Sequence, residues 1–183
     1  ITAADKIIAA PTDGKSADTA DIRSWTISGK LGIITPREAH SFSYNWQQRS
    51  TAFQIQFIAP LGSGSAFLYG RPGLVHFRSP NGQTSTAKSA EIILKQQMGR
   101  SLPVSNMYYW IRGLEAPGAK GTAQYDKGHN LTSQRQQGWL IQYLEYTSVR
   151  GINLPRRINM TYGNMKIKII INTWYFKSNP TKK

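Results

Sequence analysis

Three histidines, nine carboxylates and no cysteine are the raw material for covalent or metal chemistry in this 183-residue chain. His40, His76 and His129 stand far apart and match no metal-ligand spacing or H-E-x-x-H helix, so each reads as a structural or solvated imidazole. The lack of cysteine removes thiolate zinc sites, cysteine nucleophiles and a disulfide framework from this stretch. Gly62-Ser63-Gly64-Ser65 is a turn former and not a G-x-S-x-G elbow. Gly113 to Lys120 (GLEAPGAK) imitates a phosphate loop, but Ala119 separates the second glycine from the lysine and no strand directly precedes it. The carboxylates are scattered, and the closest, Asp18 and Asp21, suit the dipole of an N-terminal helix. Acid, base and nucleophile never gather, so neither catalysis nor a metal or cofactor is expected.

What remains is surface chemistry. Lys plus Arg number 23 against 9 for Asp plus Glu, a net charge of +14 that draws the chain toward phosphate-bearing surfaces or an acidic partner. The basic residues are dispersed, the densest groups being Arg156 with Arg157 and Lys182 with Lys183. One reading is therefore a β protein that binds polyanions or nucleic acid. It accounts for charge and aromatics, yet it lacks a recognition signature and places its aromatics opposite most of the Lys and Arg. No uninterrupted apolar run approaches the roughly 20 residues that span a bilayer as a helix.

The elements that must position any site follow a period of two. Trp25, Ile27, Gly29, Leu31 and Ile33 alternate with Thr26, Ser28, Lys30 and Gly32, which puts the two sets on opposite faces of a strand. The same alternation holds for Phe42, Tyr44 and Trp46, for Phe53, Ile55 and Phe57, for Ile158, Met160 and Tyr162, and for Ile167, Ile169 and Ile171. Strands are predicted over 25–34, 40–47, 52–59, 65–69, 73–78, 83–87, 123–127, 131–136, 139–146, 156–162 and 166–174. Asn81-Gly82 reads as a two-residue hairpin turn and Pro155 as a strand start.

Helical signals interrupt the strands. Ser89 can cap a helix carrying Ile92, Ile93, Leu94 and Met98 to a stop at Gly99, and Pro103 can open a second carrying Val104, Met107, Tyr108, Trp110 and Ile111 to Gly113. Each has a broad apolar stripe that needs an oily surface. Patchy helical character near Ile7 to Ala9, a break at 11–14 and a short helix over 16–23 precede the first strand. The fold class that follows is mainly β with an α lid: an incomplete, half-open antiparallel barrel of about eleven strands covered by helices. The concave face would then be lined by Ile27, Leu31, Phe42, Tyr44, Trp46, Phe53, Ile55 and Phe57 from one half of the strands. Ile141, Tyr143, Ile158, Met160, Ile167 and Ile169 would complete it, under Ile93, Met107 and Ile111 of the helices.

A set of ordered motifs carries a family resemblance. Trp25-x3-Gly29-Lys30-Leu31-Gly32-Ile33, Ser41-Phe42-Ser43-Tyr44-x-Trp46-Gln47 and Pro60-Leu61-Gly62 come first. Gly99-x2-Leu102-Pro103-Val104 and Tyr109-Trp110-Ile111-Arg112-Gly113 follow, then Gln137-Gly138-Trp139-x-Ile141-x-Tyr143 and Leu154-Pro155-Arg156-Arg157-Ile158. From about Trp25 to Trp174 the series resembles the LolB family of outer-membrane lipoprotein receptors.

That resemblance implies a hydrophobic cavity for acyl chains, filled by lipoproteins handed over from the periplasmic carrier LolA and emptied into the outer membrane without an energy source. Its partners would be LolA, acylated lipoproteins and outer-membrane lipid, with no nucleic acid, and the chain would work as a monomer. It points to Leu61, in the Pro60-Leu61-Gly62 loop, as a protruding residue used in membrane delivery. It also implies an outer-membrane position on the periplasmic face, lipid-anchored through an acylated cysteine that this sequence does not contain. The chain begins at Ile1, which reads as a mature or trimmed product. On this basis 1–24 is an N-terminal extension with a short helix, 25–176 the lipoprotein-binding domain and 177–183 a basic tail.

Overall fold

Strands with one oily face need ladder partners on both edges, and each predicted strand finds at least one. A computed structural model describes residues 17–177; the expectations near Ile7 to Gly14 and for most of the basic tail lie outside the described residues. The elements are α1 (Ala17–Asp21), β1 (Ser24–Ile34), β2 (Ala39–Arg49), β3 (Ala52–Ile58), β4 (Ser65–Arg71), β5 (Leu74–Arg78) and β6 (Thr84–Ala87). They continue with α2 (Ala90–Met98), α3 (Val104–Trp110), β7 (Thr122–Tyr125), β8 (Leu131–Gln136), β9 (Trp139–Val149), β10 (Ile152–Tyr162) and β11 (Met165–Tyr175).

All eleven strands form one antiparallel sheet in the order β6-β5-β4-β3-β2-β1-β11-β10-β9-β8-β7. Two meanders thus meet where the first and last strands pair, with Leu31 opposite Ile169 and Ile33 opposite Ile167. The sheet stays open between β6 and β7, and the chain joining those edges is the segment that carries α2 and α3. Helix α2 packs on β5, β6 and α3. Ser89 caps it, its Oγ accepting from the Ile92 amide at 3.1 Å, and Gly99 ends it at φ 76°.

The period-two expectation holds along the sheet. Trp25, Ile27, Leu31, Ile33, Tyr44, Trp46, Ile55, Phe57, Ile141, Ile158, Met160, Ile167, Ile169 and Ile171 are all buried. Gly29 belongs to the same series for another reason. A Cβ there would lie 1.9 Å from the Ile170 carbonyl oxygen, at the point where the β1–β11 register shifts.

Three local expectations are corrected. Pro155 does not start a strand: it sits inside β10 opposite Tyr146, where the register with β9 shifts, so the bulge spares it a ladder bond. Asn81-Gly82 is not a two-residue turn. The Gly82 amide donates to Ser79 and the Ser79 amide to the Gln83 carbonyl, both at 2.9 Å, leaving a three-residue loop of Pro80, Asn81 and Gly82 in which only Gly82 takes positive φ. The two-residue turns with both φ positive are Gln137-Gly138 and Arg150-Gly151. Tyr162, placed by parity on the oily face, is half exposed at the β10–β11 turn, where it packs on Trp139 with ring centres 5.2 Å apart.

Candidate functional site

The concave face and α3 with its flanking residues border a cavity of about 20 Å³ lined by Leu31, Tyr44, Trp46, Ile55, Phe57, Leu102, Val104, Met107, Ile111 and Ile169. That volume holds about one water molecule and no hydrocarbon tail. Of the residues expected to line an acyl-chain space, Leu31, Tyr44, Trp46, Ile55, Phe57, Met107, Ile111 and Ile169 reach the cavity. Ile27, Ile93, Ile141, Tyr143, Ile158, Met160 and Ile167 are buried in the core around it, and Phe42 and Phe53 pack half-buried at its margin. Leu102 and Val104 were not expected. The signal for them was present: Leu102 precedes Pro103, the position from which an apolar residue commonly staples back onto its helix.

Polar side chains hold the cover down. On β8, Gln134 and Gln136 take the core-facing positions opposite Ile141 and Trp139. Gln136 Oε1 accepts from Trp110 Nε1 at 2.8 Å and from the Ala116 amide at 2.9 Å, while its Nε2 donates to the carbonyls of Ala116 at 2.5 Å and Ala119 at 3.1 Å. Gln134 Nε2 donates to the Leu114 carbonyl at 3.0 Å and to the Tyr143 hydroxyl at 2.8 Å, and that hydroxyl donates to the Trp110 carbonyl at 2.7 Å. The phosphate-loop mimic at Gly113 to Lys120 is thus a strap whose backbone groups are consumed by two glutamines. Gln134 and Gln136 stand at core-facing parity on β8, but nothing local in the sequence names the strap they bind.

The C-terminal end of α3 is fixed by Arg112, which is buried. Its Nε donates to the Tyr108 carbonyl at 2.9 Å and its Nη1 to the carbonyls of Ile22 at 2.8 Å and Ala20 at 3.3 Å, with the guanidinium 4.2 Å from the centre of the Tyr108 ring. Burial lowers the Arg112 pKa. Among the described residues no carboxylate pairs with it.

The other end of the cover is held at the surface. The Ser105 amide donates to Glu91 Oε1 at 2.8 Å, tying α3 to α2, and Arg100 between the helices pairs with Glu38 of the β1–β2 turn. His40 Nε2 approaches the second Glu38 oxygen at 3.0 Å, and this hydrogen bond is the main reason the Glu38 pKa is lowered.

Pro60, Leu61 and Gly62 form the turn between β3 and β4, at the strand ends that make one rim of the sheet. The Ser63 amide and hydroxyl both reach the Pro60 carbonyl, at 3.4 and 2.8 Å. Leu61 adopts φ 59°, ψ 27°, a left-handed conformation unfavourable to a bulky residue, and its side chain is fully exposed. The left-handed backbone costs the fold about 1 kcal/mol, and the exposed side chain returns no packing among the described residues. Among the described residues, no group of three or more His, Asp or Glu could hold a metal ion. No described helix is long and apolar enough to cross a membrane.

Comparison with known proteins agrees with this architecture. The family described as Outer membrane lipoprotein LolB matches residues 23–174. An Outer-membrane lipoprotein LolB of Pseudomonas putida strain F1 is 37% identical over 158 residues, covering 86% of this chain and 77% of that protein. Its namesake in Coxiella burnetii strain RSA 493 is 38% identical, covering 86% and 74%. Among solved structures, a DUF1329 family protein from Desulfovibrio piger aligns with a TM-score of 0.62 at 8% identity over 87% of this chain and 88% of its own. A LolA superfamily protein from Nitrosomonas europaea aligns with a TM-score of 0.55 at 12% identity over 98% and 96%. These two share the fold.

Proposed function

This chain belongs to the LolB family of outer-membrane lipoproteins, and from that membership we propose that it takes the acyl chains of lipoproteins from the carrier LolA and releases them into the outer membrane. The observation that carries the reading is an apolar concave sheet whose cavity is capped by Leu102, Val104, Met107 and Ile111 of the helical cover, beside a turn that exposes a leucine on a strained backbone. It works as a lipid-anchored receptor on the periplasmic face of the outer membrane, and it makes and breaks no covalent bond.

The energetics support transfer without fuel. Each methylene moved out of water gains roughly 0.8 kcal/mol, so an acyl chain needs cover throughout its aqueous passage. In the closed arrangement Met107, Ile111, Leu102 and Val104 fill the hollow in place of a tail. Uptake exchanges those contacts for contacts with the chain, with the cover swinging outward. Methionine suits this exchange, since its unbranched side chain repacks around irregular shapes. The order of affinity, donor below receptor below bilayer, then sets the direction. A net charge of +14 speeds encounter with an acidic carrier mouth and makes the rate salt-sensitive.

The test is a titration with a fluorescent fatty acid followed by transfer of a triacylated lipoprotein from LolA into liposomes. Saturable uptake at one site and release into liposomes without nucleotide are expected. Folded protein that captures neither the fatty acid nor the lipoprotein would end the reading.

A further inference from the structure

The outer face of the β4–β5 hairpin carries a feature that the cavity does not use. Leu68, Val75 and Phe77 point into the core, so the alternate residues of both strands point outward. They form three consecutive cross-strand pairs, Phe67 with Arg78, Tyr69 with His76 and Arg71 with Leu74. In the first pair the guanidinium lies 4.6 Å from the Phe67 ring centre, and in the second the rings stack at 5.0 Å and 14°. Each rung joins an apolar or aromatic group to a nitrogen base. Leu74, Arg71 and Arg78 are exposed, and Phe67, Tyr69 and His76 half-buried.

The electrostatic setting is one-sided. Residues 39–90, which span β2 to β6, contain no Asp or Glu, and among the described residues neither Arg71 nor Arg78 is in an ion pair. The outward neighbours on β3, Gln54 and Gln56, are neutral. The ladder also continues from the Leu61 turn, because β4 begins at Ser65, directly after that turn.

We propose that the Phe67–Arg78, Tyr69–His76 and Arg71–Leu74 ladder is a docking face for an anionic phospholipid surface. It lays the β4–β5 side of the barrel on the headgroups so that Leu61 enters the acyl region. Aromatic rings and leucine favour the boundary between headgroup and hydrocarbon, while arginine pairs with phosphate in a planar, two-pronged fashion. The reading of this chain as a membrane-delivering receptor fixes the choice of a lipid surface over other phosphate-bearing partners; the ladder geometry stands without it.

The test is flotation of the full chain with vesicles of phosphatidylcholine mixed with phosphatidylglycerol, against phosphatidylcholine alone. Wild-type protein should prefer the anionic vesicles, and Arg71→Gln with Arg78→Gln should lower that binding about fivefold for each arginine. Phe67→Ser with Tyr69→Ser should weaken binding to both vesicle types. Circular dichroism checks that each variant is folded, and the arginine pair, being exposed, keeps the test open if the aromatic pair is not. Unchanged binding of the arginine variant overturns the proposal. An equal loss from Lys166→Gln with Lys168→Gln, on β11, overturns it in favour of net charge alone. Tighter binding to single-stranded oligonucleotide than to anionic vesicles, lost in the same variant, overturns it in favour of a nucleic-acid surface. Fatty-acid uptake separates the two readings. The arginine variant should retain it, and wild-type protein that fails uptake while showing arginine-dependent vesicle binding would sink the receptor function and leave the ladder standing.

Discussion

The indole Nε1 of Trp110 and the side-chain oxygen of Gln136 meet at 2.8 Å beneath α3, so a helix of the cover is bolted to β8 by a polar bond inside an apolar core. The same amide serves the Ala116 backbone on both its donor and its acceptor side. Replacing Gln136 with Ala leaves three buried polar groups without partners.

Gln136→Ala should therefore destabilise the protein by about 3 kcal/mol, more than a surface truncation of equal size. If the bolt also restrains the cover, the variant should take up a fluorescent fatty acid faster than wild type. Urea unfolding and stopped-flow uptake measure the two effects. A loss below about 1 kcal/mol would mean that water replaces the amide.

Met107 touches the cavity from the cover side, and its truncation tests what fills the hollow. Met107→Ala should cost about 2–4 kcal/mol through the enlarged void. It should also raise affinity for short fatty acids, because part of the displacement that a tail must perform is already done. Equilibrium unfolding with a chain-length series of ligands checks both, and lower affinity for every chain length would place the acyl site elsewhere.

Much of this arrangement was legible because strand parity is a strict rule and the concave face is buried along its length. Ile27, Leu31, Tyr44, Trp46 and Ile55 could be assigned inward from spacing alone, and Ser89 and Gly99 bounded α2 through local chemistry. The bulge at Pro155 was illegible, since a proline within a strand and one at its start look alike until the partner register is known. Gln134 and Gln136 were hidden for another reason. A core-facing amide is tolerable only when the strap at 114–119 presents matching backbone groups, and no local pattern reports a partner twenty positions away. The size of the hollow depends on how far the helices settle onto the sheet, a distance that parity does not encode.

Tyr44, Tyr143 and Tyr146 tie this packing to alkaline pH. Each hydroxyl donates to a backbone carbonyl, Ile170 at 2.9 Å, Trp110 at 2.7 Å and Leu131 at 2.6 Å, and burial raises each pKa well above the ordinary tyrosine value. A raised pKa in the folded state means that the stabilisation is complete below the unfolded value near 10 and declines as pH rises past it, since only the unfolded chain ionises freely. Stability should fall steeply above about pH 10. Phenolate absorbance from these three rings should appear together with loss of the fold, and Tyr44→Phe should flatten the decline. Phenolate formation by all nine tyrosines before unfolding would contradict the assigned environments.

Leu61 separates stability from function. At φ 59° its backbone strain is relieved by Asn, which tolerates the left-handed region, and its exposed side chain offers no packing to lose. Leu61→Asn should keep or raise stability by about 0.5–1 kcal/mol while slowing release of a bound lipoprotein into liposomes. Leu61→Glu should slow release further, since a carboxylate at the tip opposes entry into hydrocarbon, with fatty-acid uptake unchanged in both. Paired thermal unfolding and liposome-transfer assays decide the matter. A destabilised Asn variant would show that the leucine packs on something in solution, and unchanged transfer by the Glu variant would remove the turn from the delivery step.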